Sequence, residues 1–340
     1  MNSRRVTAAY IQSPFQVTYR SIDLRPPGPG EILLDVLATG ICGHDMEIAA
    51  SLAPEPKPFG HEIAGRVREA GPGVTHVREG DLIALESSAF CGQCSDCRNG
   101  RVDLCRHTIA FGGEPAMGFA EAMVAPARVA VPAPDLDPAV AALAEPLGVA
   151  LDMLRLAEIG LTDRVLLVGA GPIGLMALAL ARRQTTAALV AVSRSPGRLA
   201  AARRLGADAA VSPEEVSLGD LGKRYGGFNR VLVTAPPQTL PGALDAAAYE
   251  GYVVFIGFDW GAGGTVPIDT TAMHLGKKQL RASFASPAVF LPRALQLLQS
   301  GAVPAGDIIT HRLPLQRLGE ALRMVREQRD TVLKVIITPQ

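Results

Sequence analysis

Val165–Ala181 reads VLLVGAGPIGLMALALA, seventeen uncharged residues between Arg164 and Arg182. The stretch is too short for a membrane helix and is interrupted by Gly169, Gly171, Pro172 and Gly174. It reads instead as a buried strand, a glycine turn and a buried helix. The strand is the short run RVLLV, and Gly169-Ala170-Gly171-Pro172-Ile173-Gly174 fits G-x-G-x-x-G directly behind it. In such a turn the glycines permit the tight bend, the approach of backbone to a pyrophosphate, and close packing of helix on strand. The helix N-terminus supplies the anion site.

Beyond Ala181 the chain continues as a doubly wound α/β domain does. Further strands are expected at Ala188–Val192, Ala209–Val211, Arg230–Thr234, Tyr252–Gly257 and Gln279–Phe284, with PGRLAAARRLGAD a helix closed by Gly206. Six strands with helices between them predict a Rossmann dinucleotide-binding domain over residues 149–285. The alternative is a glycine-turn α/β domain that binds no nucleotide. About twenty residues past the turn, where a carboxylate would accept the ribose 2′-hydroxyl of NAD, the chain has Ser193-Arg194-Ser195 and then Arg198. A carboxylate would repel a 2′-phosphate, whereas guanidinium and hydroxyl groups bind one, so NADP(H) is expected in preference to NAD(H). The competing reading makes Arg194 a solvated charge that stacks on adenine without selecting the phosphate. Trp260 and Gly261–Gly264 come after the Tyr252–Gly257 strand, as either a nicotinamide wall or a turn with no ligand contact.

The rest of the chain differs in kind. VTAAYIQ, FQVTYRSI, EILLDVLATGI, EIAGRVREA, DLIALES and AEAMVAPARVAVP are short alternating or apolar runs separated by PPGPGE, GPGV and REGD, which predicts a β-rich domain with tight turns. The apolar LKVIIT near the C-terminus is expected to return to it. The catalytic domain is then discontinuous, residues 1–148 with 286–340. The 340 residues, 48% hydrophobic and 19% charged, suit two domains with large cores. Charges balance at 33 against 33, and no basic run could track phosphates or anionic lipid, which argues against nucleic-acid and membrane partners. Met1–Tyr10 lacks the apolar core of a secretory signal, so a cytoplasmic location is expected, where thiolates bind metal rather than forming disulfides.

Four of the five cysteines, Cys91, Cys94, Cys97 and Cys105, read C-x2-C-x2-C-x7-C within the loop-like residues 90–106. That is the ligand set of a closed tetrahedral zinc site whose role is to order a loop. Cys42 lies apart, in GICGHD, and nineteen residues later comes Gly60-His61-Glu62. One thiolate, one imidazole and one carboxylate gathered by a fold would make a second zinc site with room for a substrate.

As a set these segments resemble the zinc-dependent alcohol dehydrogenases of the medium-chain dehydrogenase/reductase superfamily. GICGHD, PFGHEIAGRVREAGPGV, the cysteine ladder, GFAEAMVAP, LAEPLGVALDML, GAGPIG and LGAD appear in that family's order across essentially the whole chain. Glu145-Pro146-Leu147 resembles the polyol (sorbitol) and threonine dehydrogenase branch, which carries glutamate where liver-type enzymes carry a third metal-binding cysteine. The resemblance implies a GroES-like catalytic domain beside the Rossmann domain, a cleft between them, and a homodimer or homotetramer. It implies two zinc ions per chain, one held by the four cysteines. Cys42 and His61 bind the other, with Glu62 and Glu145 as the two carboxylates, one direct and one acting through water or on opening of the site. Asp45 matches the acid that accepts the other ring N–H of His61 and fixes its tautomer.

His44 departs from the pattern, since relatives mostly place Ser or Thr there to relay the alcohol proton. An imidazole can do the same work, or take the proton itself; the alternative is that it only shapes the pocket. The sequence therefore predicts hydride transfer between a secondary alcohol (polyol, sugar, cyclitol or amino alcohol) and NADP(H), giving the ketone. The competing readings are a zinc-independent quinone or enone reductase of the same superfamily, and a non-catalytic nucleotide-binding protein.

Overall fold

The computed structural model describes residues 4–110, 115–257, 259 and 262–339; Trp260 and Gly261 lie outside them. The chain divides into two compact units, Met1–Gly148 with Ala285–Gln340, and Val149–Phe284.

The second unit is built on six parallel strands in the order Ala209–Val211, Leu189–Val192, Val165–Val168, Phe228–Val233, Ala247–Phe255, Gln279–Ala282. The order reverses at Val165–Val168, the strand that feeds the glycine turn. All four of its residues are buried, as a parallel strand covered on both faces requires. Helix Pro172–Ala181 is buried from Gly174 to Ala181, which explains its lack of a polar face. Ser195 caps the next helix, Pro196–Arg204, and Gly206 closes it at φ +106. Several strand limits differ from the sequence expectation; the fourth strand, for one, is Phe228–Val233 rather than Arg230–Thr234. The fifth strand starts at Ala247 rather than Tyr252, because Ala247 pairs with Phe228 before a register shift resumes the ladder at Arg230 and Tyr252. The sixth ends at Ala282, and Phe284 is 77% exposed.

The first unit is β-rich. A sheet runs Ala130–Pro132, Leu82–Leu85, Glu62–Ala70, Glu31–Gly40, Lys334–Thr338, Ile309–Pro314, with Ala122–Pro126 also pairing with Glu31–Gly40. The C-terminal strand joins through Ile336 opposite Gly40 and Ile337 opposite Thr39. Cys42 and Glu62 therefore stand at the ends of strands that share one ladder, where Gly40 pairs with Glu62. Ile32, Leu34, Ile63, Ile83, Leu85 and Met123 fill one core, and Ile11, Phe59, Phe119, Leu318 and Ile337 another.

Glu86, just past strand Leu82–Leu85, is 7% exposed, and burial pushes its carboxyl up to about 8 from an ordinary 4.5. Between these values the folded chain holds a proton that the unfolded chain releases, so stability falls as pH rises through that window. The isosteric Glu86→Gln is expected to change nothing at pH 4 and to stabilise by about 3 kcal/mol at pH 7. Urea midpoints at the two pH values check it. An equal gain at both would show that the charge is not the cause.

Candidate metal centres and dinucleotide turn

The cysteine ladder folds back on itself. Cys91 Sγ lies 4.0 Å from Cys97 Sγ and Cys94 Sγ 3.9 Å from Cys105 Sγ, and all four sulfurs fall within 4.8 Å of one another. Zn–S bonds of about 2.3 Å in a tetrahedron give S···S edges of about 3.8 Å, close to the 3.9 and 4.0 Å separations, so the cluster suits zinc. The Gln93 and Cys94 N–H groups both donate to Cys91 Sγ at 3.4 Å and pull that thiol down to about 6. Arg128 holds the loop from outside, donating to the Phe90 and Cys91 carbonyls.

The other site grows from two turns. Cys42 is the N-cap of the short helix Gly43–Glu47, and its backbone N–H donates to Asp45 Oδ2 at 2.9 Å. Gly60, at φ +94, turns the chain into His61; a Cβ there would meet the Phe119 ring at 2.8 Å. These turns bring Cys42 and His61 close enough that each shifts the titration of the other. Asp45, fully buried, faces His61 Nδ1 at 3.6 Å, the arrangement that leaves Nε2 as the ligand nitrogen. Burial opposes charge on His61, but the neighbouring Asp45 carboxylate, with Cys42 beside it, outweighs that and holds the imidazole well above its ordinary value. Burial pushes the Cys42 thiol up, against the pull of His61. Burial also raises the Glu145 carboxyl, against the pull of nearby His61 and Ser87.

Glu62 is committed elsewhere. Both its oxygens lie 2.6 Å from Lys334 Nζ, and the ammonium donates a third bond to the Ile41 carbonyl at 3.0 Å. A Cβ on Gly40 would sit 1.9 Å from Glu62 Oε2, so glycine is needed there to admit the pair. Neither Glu62 nor Glu145 completes, with Cys42 and His61, a set of ligand atoms within 4.8 Å; among the described residues the four cysteines alone do. Sequence reasoning misses Lys334, although a lone lysine in the apolar LKVIIT is the signal that could have found it. His44 joins the site, its ring centroid 6.2 Å from that of His61 and its Nδ1 3.8 Å from Glu47 Oε2.

In the second unit the glycine turn is a cradle that side chains would fill. A Cβ on Gly169, at φ +102, would lie 2.7 Å from the Ala235 nitrogen, and one on Gly174 would lie 2.2 Å from the Gly169 oxygen. At Gly171 only Arg198 Nη1 would be met, at 4.0 Å, so that side of the turn is open and has a cation beside it. Gly171 caps the helix with Pro172 at its first position and Ile173 behind it, and has no side chain of its own to bond the first N–H groups. This fits a diphosphate. Arg194 is exposed just past strand Leu189–Val192, beside Ser193. Ser195 spends a lone pair on the Arg198 N–H at 3.3 Å, so its first duty is to cap the helix.

The alcohol dehydrogenase GroES-like domain matches residues 28–135, and the zinc-binding dehydrogenase domain matches residues 172–300. An L-threonine 3-dehydrogenase of Saccharopolyspora erythraea is 35% identical over 322 residues, covering 89% of this chain and 90% of the relative. The chain belongs to the zinc-type alcohol dehydrogenase family. An L-idonate 5-dehydrogenase of Vitis vinifera is 32% identical, covering 84% of this chain and 81% of the relative. Among solved structures, a protein from Sinorhizobium meliloti 1021 described as a zinc-binding dehydrogenase bound to NADP superposes with a TM-score of 0.87. It is 29% identical and covers 99% of this chain and 100% of that one. The GroES-like domain and Rossmann sheet predicted from the sequence are those of this family, and the protein is an NAD(P)-dependent alcohol dehydrogenase. Among the described residues no helix is long and apolar enough to cross a membrane.

Proposed function

We propose that this dehydrogenase interconverts a secondary alcohol of the polyol, sugar, cyclitol or amino-alcohol class and its ketone, using NADP(H) and two zinc ions per chain. The observation that carries the reading is the convergence of Cys42 and His61, nineteen positions apart, with buried Asp45 3.6 Å from His61 Nδ1. Names of relatives support the alcohol class, since one acts on threonine and another on idonate.

Bound zinc supplies Lewis acidity to the substrate oxygen, and the nicotinamide supplies hydride exchange. Cys42, His61 and Glu145 are the residues that would hold the catalytic ion. Lys334 keeps Glu62 turned aside, which favours Glu145 over Glu62 as the direct carboxylate ligand. Asp45 holds the His61 Nδ1 proton. His44 takes the alcohol proton at a ring nitrogen in oxidation and returns it in reduction. In the other unit, Arg194 and Arg198 bind the 2′-phosphate with the Ser193 hydroxyl.

A panel of polyols, sugar acids and amino alcohols, run with either cofactor on zinc-loaded protein and read at the reduced nicotinamide band, tests this reading. Wild type should turn over at least one class faster with NADP+ than with NAD+. Arg194→Ala should cost about tenfold in kcat/KM with NADP+ and little with NAD+. His44→Ala should slow hydride transfer about 10²-fold, with partial recovery in His44→Thr. No turnover on any class sinks the reading. Equal losses with both cofactors remove Arg194 from the phosphate site, and unchanged rates and pH profiles in both His44 variants remove the proton role.

A further inference from the structure

The residue after strand Phe228–Val233 is Thr234, and the parallel register that sets Val233 beside Val168 brings Thr234 against Gly169. The backbone is pinned there twice: the Thr234 and Ala235 N–H groups both donate to the Val168 carbonyl, at 2.9 and 3.1 Å. The Thr234 hydroxyl then donates to the Gly169 carbonyl at 2.5 Å. The first and third glycines of the turn both close on that hydroxyl. A Cβ on either Gly169 or Gly174 would come within 2.8 Å of Thr234 Oγ1, and one on Gly174 would come within 2.2 Å of the Gly169 oxygen as well. Carbonyl, hydroxyl and helix are thus packed in one contact on the inner side of the turn.

A trans peptide points its C=O and its N–H in opposite directions. A hydroxyl that holds the Gly169 oxygen inward therefore aims the Ala170 N–H outward, away from Gly174. We propose that Thr234 is a positioning residue for the dinucleotide: its hydroxyl fixes the plane of the Gly169–Ala170 peptide and so sets the affinity of the turn for a diphosphate. This rests on the reading of the turn as a dinucleotide site.

The test separates hydrogen bonding from packing, because valine keeps the shape of threonine without the donor and serine keeps the donor without the methyl. Dissociation constants of NADPH and NADH are measured by nucleotide fluorescence. Those of ADP-ribose, which carries the diphosphate, and adenosine 2′-monophosphate, which does not, are measured by displacement. Thr234→Val is expected to weaken NADPH, NADH and ADP-ribose about five- to tenfold and to leave the monophosphate unchanged. Thr234→Ser should stay within about twofold of wild type for all four. Should the valine variant fail to fold, as judged by its melting curve, Thr234→Ala deletes the same hydroxyl and takes its place. Wild-type affinity in the valine variant, or an equal loss in the serine variant, overturns the proposal while leaving the dinucleotide reading intact. Failure of wild type to bind NADPH, NADH or ADP-ribose overturns both.

Discussion

Replacing Cys42 with alanine is expected to lower kcat/KM by at least about 10³-fold and to reduce bound zinc from two ions per chain to one. The substitution removes the thiol proposed above as a ligand beside His61. A loss of that size corresponds to about 4 kcal/mol of transition-state stabilisation, what is expected when a Lewis acid is removed. Dinucleotide affinity should stay within about twofold, because the glycine turn belongs to Val149–Phe284 and Cys42 to the other unit. His61→Ala should behave the same way. Metal analysis, turnover and NADPH titration on one preparation distinguish the outcomes. Two zinc ions retained with full activity would remove Cys42 from the catalytic centre. One zinc with full activity would reduce the centre to a structural site.

Much of this arrangement is legible in the sequence because its signals are local. The glycine turn announces itself through spacing, and the structure shows why two of its glycines are needed, Gly169 for its positive φ and Gly174 for contact with the Gly169 carbonyl, while Gly171 faces open space. The four cysteines sit within fifteen residues, so a single loop brings their sulfurs together. The contacts that tune the site are of a different kind. Lys334 reaches Glu62 across 272 positions, and Thr234 reaches Gly169 across 65. Each depends on strand order and register, which periodicity does not encode. The longer fifth strand escapes the sequence for the same reason: AAYEG contains a polar pair and a glycine, and only its partner Phe228–Val233 makes it a strand.

Lys334→Met is expected to destabilise the metal-free protein by about 3–5 kcal/mol, read as a shift of the urea midpoint in the presence of chelator. Lys334 is 3% exposed and Glu62 fully buried, and the ammonium meets both carboxylate oxygens and the Ile41 carbonyl. Losing it strands a fully buried carboxylate without its counter-charge. A surface pair would contribute at most about 1 kcal/mol, so the size of the shift discriminates between the two. Adding Glu62→Gln to Lys334→Met removes the stranded charge and should recover most of the loss, because the remaining cost is an imperfectly paired amide of about 1–3 kcal/mol. The order of the three proteins decides the matter: if the double variant is no more stable than Lys334→Met alone, the lysine acts by filling space, and Glu62 is not the group it restrains.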